Sequence, residues 1–268
     1  MIMNGDYHVH TPYCPHGSND PLVDYIEKAI ERNLKVISFT EHAPLPKRFN
    51  DPTPEKDSAM RFQDLPDYFH KLKELKKEYE GIIKINIGFE VDYIEGYEQD
   101  TKQFLNEIGP EIDDAILSVH MLKDKKGNYI CLDYHQDSFQ ELVIQFGSVE
   151  RVYEHYYDTV KKAILSDLGS YKPTRIGHLT LVEKFKQLYP VEHDFKKTIN
   201  ELLHLIKSND LQLDLNTAGI YKPFCKTMYP SPWVVKMAQE LGIPLYPGSD
   251  SHASSGIAKG FEGLQVYK

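Results

Sequence analysis

Cysteine is scarce in this sequence: Cys14, Cys131 and Cys225 are the only three among 268 residues. Their number is odd, their positions are scattered and no pair has C-x-x-C spacing, so neither a disulfide framework nor a structural zinc knuckle is expected. Long apolar runs are also missing. No stretch approaches the roughly 18 residues needed to cross a bilayer, and the start, MIMNGDYHVHT, lacks the basic and then apolar profile of a secretory signal. A soluble, cytoplasmic protein with no membrane partner is expected. Basic charge is in deficit, with 31 Lys and Arg against 40 Asp and Glu and a formal net charge of −9. That balance repels a phosphate backbone and argues against a nucleic-acid partner. Nor does any Pro/Gly/Ser-rich linker or low-complexity run divide the chain, and 41% hydrophobic content is enough for one large core, so residues 1–268 are expected to form one domain.

What is present is a regular alternation. Apolar, β-branched runs at 6–11, 36–42, 83–94, 114–122, 175–182, 211–218 and 243–252 read as seven strands. Between them, segments such as 21–34, 64–81, 148–165, 194–210 and 230–242 read as amphipathic helices. Strand–helix repetition implies parallel strands with right-handed crossovers, which leaves a closed barrel or an open doubly wound sheet.

The polar residues decide between these. Each strand is apolar at its start and carries a site-type group late: His8 and His10, His42, Glu90, His120, His178, Asn216, then Asp250 and His252. Only a closed (β/α) barrel brings every strand end to one mouth, whereas an open sheet works mainly at its switch point. Residues two apart in a strand share a face, so His8 projects with His10, and Asp250 with His252. With His16, the candidate ligands number nine: His8, His10, His16, His42, Glu90, His120, His178, Asp250 and His252. A first-row divalent ion takes about three or four protein ligands in an open site, so nine suit three ions if one carboxylate bridges. Three such cations would also cancel about two thirds of the formal charge locally. Imidazole-rich coordination favours zinc, iron or manganese over magnesium or calcium. The other histidines, His70, His135, His155, His193 and His204, are expected to be solvated or packed, with His155 in reserve as an alternative to His178. Cys14, between His10 and His16, is expected to be a half-buried thiol.

Taken in order, DYHVHT, FTEH, the Glu of IGFEVDY, LSVH, RIGHLTLVEKF, LDLNTAG and PGSDSH resemble the polymerase and histidinol phosphatase (PHP) superfamily, and within it the histidinol-phosphate phosphatases. The resemblance runs from residue 6 to about residue 256. It implies an α/β fold, a distorted (β/α)7 TIM-like barrel with a trinuclear metal site at the C-terminal ends of the strands. It further implies that one ion takes His8, His10, Glu90 and Asp250, a second Glu90, His120 and His178, and a third His16, His42 and His252, with Glu90 as the bridge. Thr180 and Glu41 depart from the commoner residues of the superfamily without removing a proposed ligand.

The chemistry expected of such a site is metal-assisted hydrolysis of a phosphomonoester, with Glu90, Asp250 and His252 as candidate catalytic residues. The resemblance points to L-histidinol phosphate, a step of histidine biosynthesis. Another PHP-type phosphoesterase, acting on nucleotides or other small phosphate esters, is the alternative; a non-catalytic, metal-stabilised scaffold would need fewer ligands. Lys222, just after the sixth strand, is the candidate phosphate cation, ahead of Arg175. Asn216 and Glu41 are the other candidate substrate contacts, the latter for the cationic end of histidinol phosphate. The proline-rich stretch 43–66, with Arg48, Arg61, Asp51 and Glu55, reads as an active-site loop.

Overall fold

The computed structural model describes residues 4–267. Seven parallel strands, β1 (Gly5–Val9), β2 (Val36–His42), β3 (Lys84–Asp92), β4 (Asp114–Ser118), β7 (Arg175–Ile176), β8 (Gln212–Asn216) and β9 (Leu245–Gly248), pair in chain order. The last strand meets the first: Val9 bridges to Ser251 in parallel, His10 N–H donates to the Ser251 carbonyl at 2.9 Å, and Asp250 N–H donates to the His8 carbonyl at 2.8 Å. These bonds close the sheet into the expected seven-stranded barrel.

Helices α1 (Leu22–Glu31), α2 (Leu65–Glu78), α3 (Glu98–Ile108), α4 (Gln136–Phe146), α5 (Val149–Leu165), α6 (Lys196–Ser208) and α7 (Pro232–Glu240) fill the connections. Neither α3 nor α4 was among the helices read from the sequence. Gly147, with φ of 93°, terminates α4, and the Ser148 hydroxyl caps α5 by accepting from Arg151 N–H. Two helices therefore abut where one was expected.

Alternation along the strands divides two environments. Ile37 and Phe39 of β2, Ile85, Ile87, Phe89 and Val91 of β3, and Leu213 and Leu215 of β8 are buried in the main hydrophobic core with residues of the surrounding helices, such as Ile26, Leu72 and Leu105. The alternate residues are polar or small and meet inside the barrel: Asn86 donates to Ser38 at 2.9 Å, and Ser118 donates to Glu90 at 2.6 Å. A Cβ on Gly248 would lie 2.4 Å from His8 Cβ and 2.6 Å from Asp214 Oδ1, so only glycine fits there.

Three strands end at least four residues sooner than the sequence suggests. The fourth stops at Ser118; Met121–Lys123 (β5) instead pairs antiparallel with Tyr129–Cys131 (β6) in a small hairpin. Its turn is fixed by Asp124, whose carboxylate accepts from Lys126 and Asn128 N–H at 2.8 Å. The fifth has only two residues. A Cβ on Gly177 would lie 2.1 Å from Ser118 Oγ, His178 leaves the strand with φ of 20°, and a 3-10 turn follows at Leu181–Phe185. The seventh stops at Gly248, and Asp250 enters the left-handed region at φ 54°. Asp250 and His252 thus reach the mouth through a turn rather than by strand alternation.

Candidate metal centre

The strand ends and the loops just beyond them supply the mouth. Glu90, at the end of β3 and 2% exposed, occupies its centre with its two oxygens divided. Oε1 lies 2.8 Å from His178 Nε2 and accepts from Ser118. Oε2 lies 3.2 Å from His8 Nε2, 3.4 Å from His10 Nε2 and 3.3 Å from His42 Nδ1. Asp250 Oδ1 faces the same two rings, 3.1 Å from His10 Nε2 and 3.7 Å from His8 Nε2.

Behind the rings stand acceptors that fix the tautomers. His8 Nδ1–H donates to Asp214 Oδ2 at 2.8 Å, His10 Nδ1–H to Glu41 Oε1 at 3.3 Å, and His120 Nδ1–H to Asp92 Oδ1 at 2.6 Å. His16 Nδ1–H donates to the Asp57 carbonyl at 2.7 Å, and His252 Nδ1–H to the Asp250 carbonyl at 3.1 Å. With a proton held on Nδ1, Nε2 is the atom each ring presents inward, and it offers a lone pair to a cation once the ring is neutral. The consequence is clearest for His16 and His252, whose Nε2 atoms face each other at 3.1 Å. Two lone pairs at that distance repel unless a cation or proton sits at them.

Charge points the same way. Five unexposed carboxylates, Glu41, Glu90, Asp92, Asp214 and Asp250, converge on this region. Burial opposes ionisation of Glu90, yet His8, His120 and His178 hold it well below the usual carboxylate range. Burial opposes protonation of His8, His10 and His120 too, but the surrounding carboxylates outweigh it: His8 lies well above its ordinary value, His10 at about 9 and His120 at about 10. His42 and His252 are held neutral, mainly by burial and then by the charge on His10. A site this negative attracts cations, and the mixed imidazole and carboxylate donors fit zinc, iron or manganese.

Three sets of ligand atoms lie within 4.8 Å of one another: His8, His10 and Glu90; Glu90, His120 and His178; and His10, Cys14, His42 and His252. All nine candidate ligands are brought to the mouth, but the third set differs from the expected grouping. Cys14 and His10 join it, while His16 approaches through His252 alone. Cys14 is 3% exposed, more deeply packed than the half-buried thiol expected, and burial pushes its pKa far up. The reserve ligand His155 is on α5, packed against Phe146 with ring centroids 4.5 Å apart, away from the mouth.

Two expected substrate contacts are corrected. Glu41 is fully buried, and its oxygens are occupied by His10, by Thr11 N–H and Oγ–H, and by His42 N–H, so it orients ligands instead of meeting a substrate. Asn216 is also fully buried; its amide donates to Asp214 and Asp250 at 3.2 and 3.1 Å, and its oxygen accepts from Ala218 N–H. Arg175 lies in the barrel floor, paired with Asp114 at 2.9 Å and the Tyr7 carbonyl at 2.8 Å. Arg48 and Arg61 pair on the surface with Asp100 and Asp64.

A cavity of about 940 Å³ opens above the ligands, of the size that takes a small metabolite. Lys222 and Lys259 stand exposed on its wall, with Lys184 paired to Asp133 at 2.9 Å. Asp57 and the 38%-exposed Tyr134 also line it. The 43–66 segment is thus part of the site, and Asp51 knits it by accepting from Thr53 and Ser58. Sequence reasoning missed Asp92, Asp214, Asp57, Asp133, Lys184, Lys259 and Tyr134. Asp92 and Asp214 carried a signal, each two residues along a strand from a singled-out position, Glu90 and Asn216.

Comparison with known proteins agrees with this fold. The PHP domain model matches residues 6–218. The chain is 45% identical over 259 residues to the histidinol-phosphatase of Bacillus subtilis (strain 168), covering 96% of each. Among solved structures, HisK of Listeria monocytogenes aligns with a TM-score of 0.92 at 39% identity, over 97% of this chain and 99% of that one. The histidinol phosphate phosphatase of Lactococcus lactis, solved with zinc, L-histidinol and phosphate, aligns with a TM-score of 0.67 at 21% identity, over 100% and 94%.

Proposed function

The chain belongs to the PHP domain family, and from that premise we propose that it is a metal-dependent phosphomonoesterase hydrolysing L-histidinol phosphate to L-histidinol and phosphate. The observation that carries this reading is the inward convergence of imidazole nitrogens, with the rings of His8, His10, His16, His120 and His252 each held from behind by its own acceptor. His8, His10, Glu90 and Asp250 would hold one ion, Glu90, His120 and His178 a second, and His42, His252 and His16 a third. When bound, divalent ions supply what the side chains lack here: they lower the pKa of water toward neutrality and neutralise charge on phosphate oxygens.

The chain's own residues do the rest. Glu90, with its oxygens divided between two sets of imidazoles, is suited to be shared between ions. Asp250 is steadied by Asn216 Nδ2–H on its second oxygen, which leaves Oδ1 directed at His8 and His10. Lys222 and Lys259 form a cationic wall for the phosphate, and Asp57 with Tyr134 offers the cationic amine and imidazole a carboxylate and an aromatic face. All these groups come from one barrel, which supports a single domain over 1–268. Among the described residues no helix is long and apolar enough to cross a membrane, and the three cysteines are free. Both facts accord with a cytoplasmic enzyme of histidine biosynthesis.

The test is phosphate release from a panel of phosphomonoesters by metal-reconstituted protein, beside His8→Ala and Asp250→Asn. Selectivity for histidinol phosphate that is lost in both variants is the expected result. Undiminished activity in the variants refutes the site, while metal-dependent hydrolysis indifferent to histidinol phosphate keeps the chemistry and discards the substrate.

A further inference from the structure

One buried polar group at the mouth has no structural use. Tyr229 is 1% exposed and lines the cavity above the metal ligands, yet its hydroxyl meets no hydrogen-bond partner among the described residues. The Cys225 thiol lies beside it, but that thiol directs its own hydrogen to the Thr227 carbonyl at 3.4 Å, and sulfur is a weak acceptor. A buried hydroxyl left unpaired is destabilising, whereas phenylalanine would fill the same space without that cost.

The ring is nevertheless held firmly. Tyr229 N–H donates to the Asn216 carbonyl at 2.8 Å and Asn216 N–H donates to the Tyr229 carbonyl at 2.7 Å, an antiparallel bridge at the end of β8. Asn216 is the residue whose side chain steadies Asp250. On the other side, the ring is seated against Gly219, where a Cβ would come within 2.7 Å of its Cε2 and Cζ. Backbone and ring are therefore registered to the metal ligands, and burial keeps the phenol protonated by pushing its pKa well above 10. The result is a rigid hydroxyl donor with no acceptor in the ligand-free chain.

We propose that the Tyr229 hydroxyl binds substrate, donating its hydrogen to a non-bridging phosphate oxygen. The phosphate end of the substrate is the end rich in acceptors, while its ammonium end brings donors. Lys222 belongs to the same β8–α7 connection as Tyr229, and the Lys259 carbonyl is tied to that connection by Thr217 Oγ–H at 2.7 Å. The loops that follow β8 and β9 thus bring two cations and one neutral donor to one cavity, a set suited to phosphate. No bond is made or broken by this residue; it holds the phosphate in place.

The inference rests on the phosphomonoesterase reading, and inorganic phosphate as a probe separates the two. In metal-loaded Tyr229→Phe, metal content by elemental analysis should equal that of wild type, and the melting temperature should be equal or higher. Phosphate binding, measured by calorimetry, should weaken about tenfold or more, the effect of losing a hydrogen bond to a charged group. The kcat/KM should fall by a similar factor for histidinol phosphate and for an aryl phosphate with an uncharged leaving group. Phosphate affinity within twofold of wild type overturns the proposal. So does a loss confined to histidinol phosphate, which would move the contact to the leaving group, and so does lost metal or a lower melting temperature, which would make the hydroxyl structural. If wild type hydrolyses no ester but Tyr229→Phe still weakens phosphate binding, the enzymatic reading fails and this contact stands.

Discussion

Replacing Asp214 by Asn tests the tautomer argument on which the metal centre depends. Asp214 is fully buried on β8 and touches no candidate ligand except His8, whose Nδ1–H it accepts at 2.8 Å. An asparagine keeps the shape and forces a choice. If its oxygen faces His8, the charge-assisted bond becomes a neutral one and the amide nitrogen occupies the Oδ1 position, which has no partner and lies 2.6 Å from where a Gly248 Cβ would be. If its nitrogen faces His8, the proton moves to Nε2 and the ligand is lost. A hydrogen bond to a charged group is worth about 1.5–3 kcal/mol and a neutral one about 1, so the milder outcome costs about 0.5–2 kcal/mol, or roughly 2- to 30-fold in metal affinity. That range overlaps the 10- to 100-fold typical of losing a partner behind a metal ligand. Competition with a chromogenic chelator reads the affinity, and phosphate release at saturating metal reads the activity. Affinity and activity both within twofold of wild type would refute the claim that Asp214 sets the His8 tautomer.

Metal removal should lower the melting temperature, because ions binding only the folded chain stabilise it by about 4 kcal/mol at a thousandfold excess over Kd; restoration by zinc and no response to a chelator are the opposing results. Asp57→Asn should leave metal content intact, since it is the backbone carbonyl that holds His16, and should raise KM severalfold for histidinol phosphate but not for an aryl phosphate with an uncharged leaving group. An equal rise for both substrates would remove Asp57 from recognition of the cationic end. His155 should add an acid-sensitive contribution to stability: burial, then Lys162, lowers its pKa, so the unfolded chain takes up the proton first. Stability linked to it is complete above about pH 6.5 and falls as pH drops through that value toward the folded one. His155→Leu should therefore lose less stability than wild type between pH 7 and 5 in denaturant titrations, and parallel losses would show that the ring titrates normally.

The strands, their order and the ligand-bearing ends were legible because they are written in residue type and period. Val36–His42 reads as an apolar run ending in a histidine, and it is a strand with those bounds. Where a strand stops was not legible when a neighbour decides it. GHLTLV looks extended, but the clash a side chain at Gly177 would have with Ser118 and the turn at His178 depend on a strand more than fifty residues away. Orientation was harder still. A backbone carbonyl such as that of Asp57 has no sequence signature, so the role of the 43–66 segment in holding His16 could not be read from its prolines and charges.

The two halves of the design are separated by a single residue along each strand. In β3, Ile85, Ile87, Phe89 and Val91 belong to the core shared with the helices, while Asn86, Glu90 and Asp92 hydrogen-bond toward the barrel interior and the mouth. In β8, Leu213 and Leu215 alternate in the same way with Asp214 and Asn216. A slip of one residue in either strand would turn carboxylates into the apolar layer and leucines into the site, and each misplaced charge would be strongly destabilising. The packing that stabilises the barrel is therefore also what fixes the register of the candidate metal ligands. That coupling is why residue period pointed to the strand-borne candidate ligands, even though the acceptors behind them come from other strands and loops.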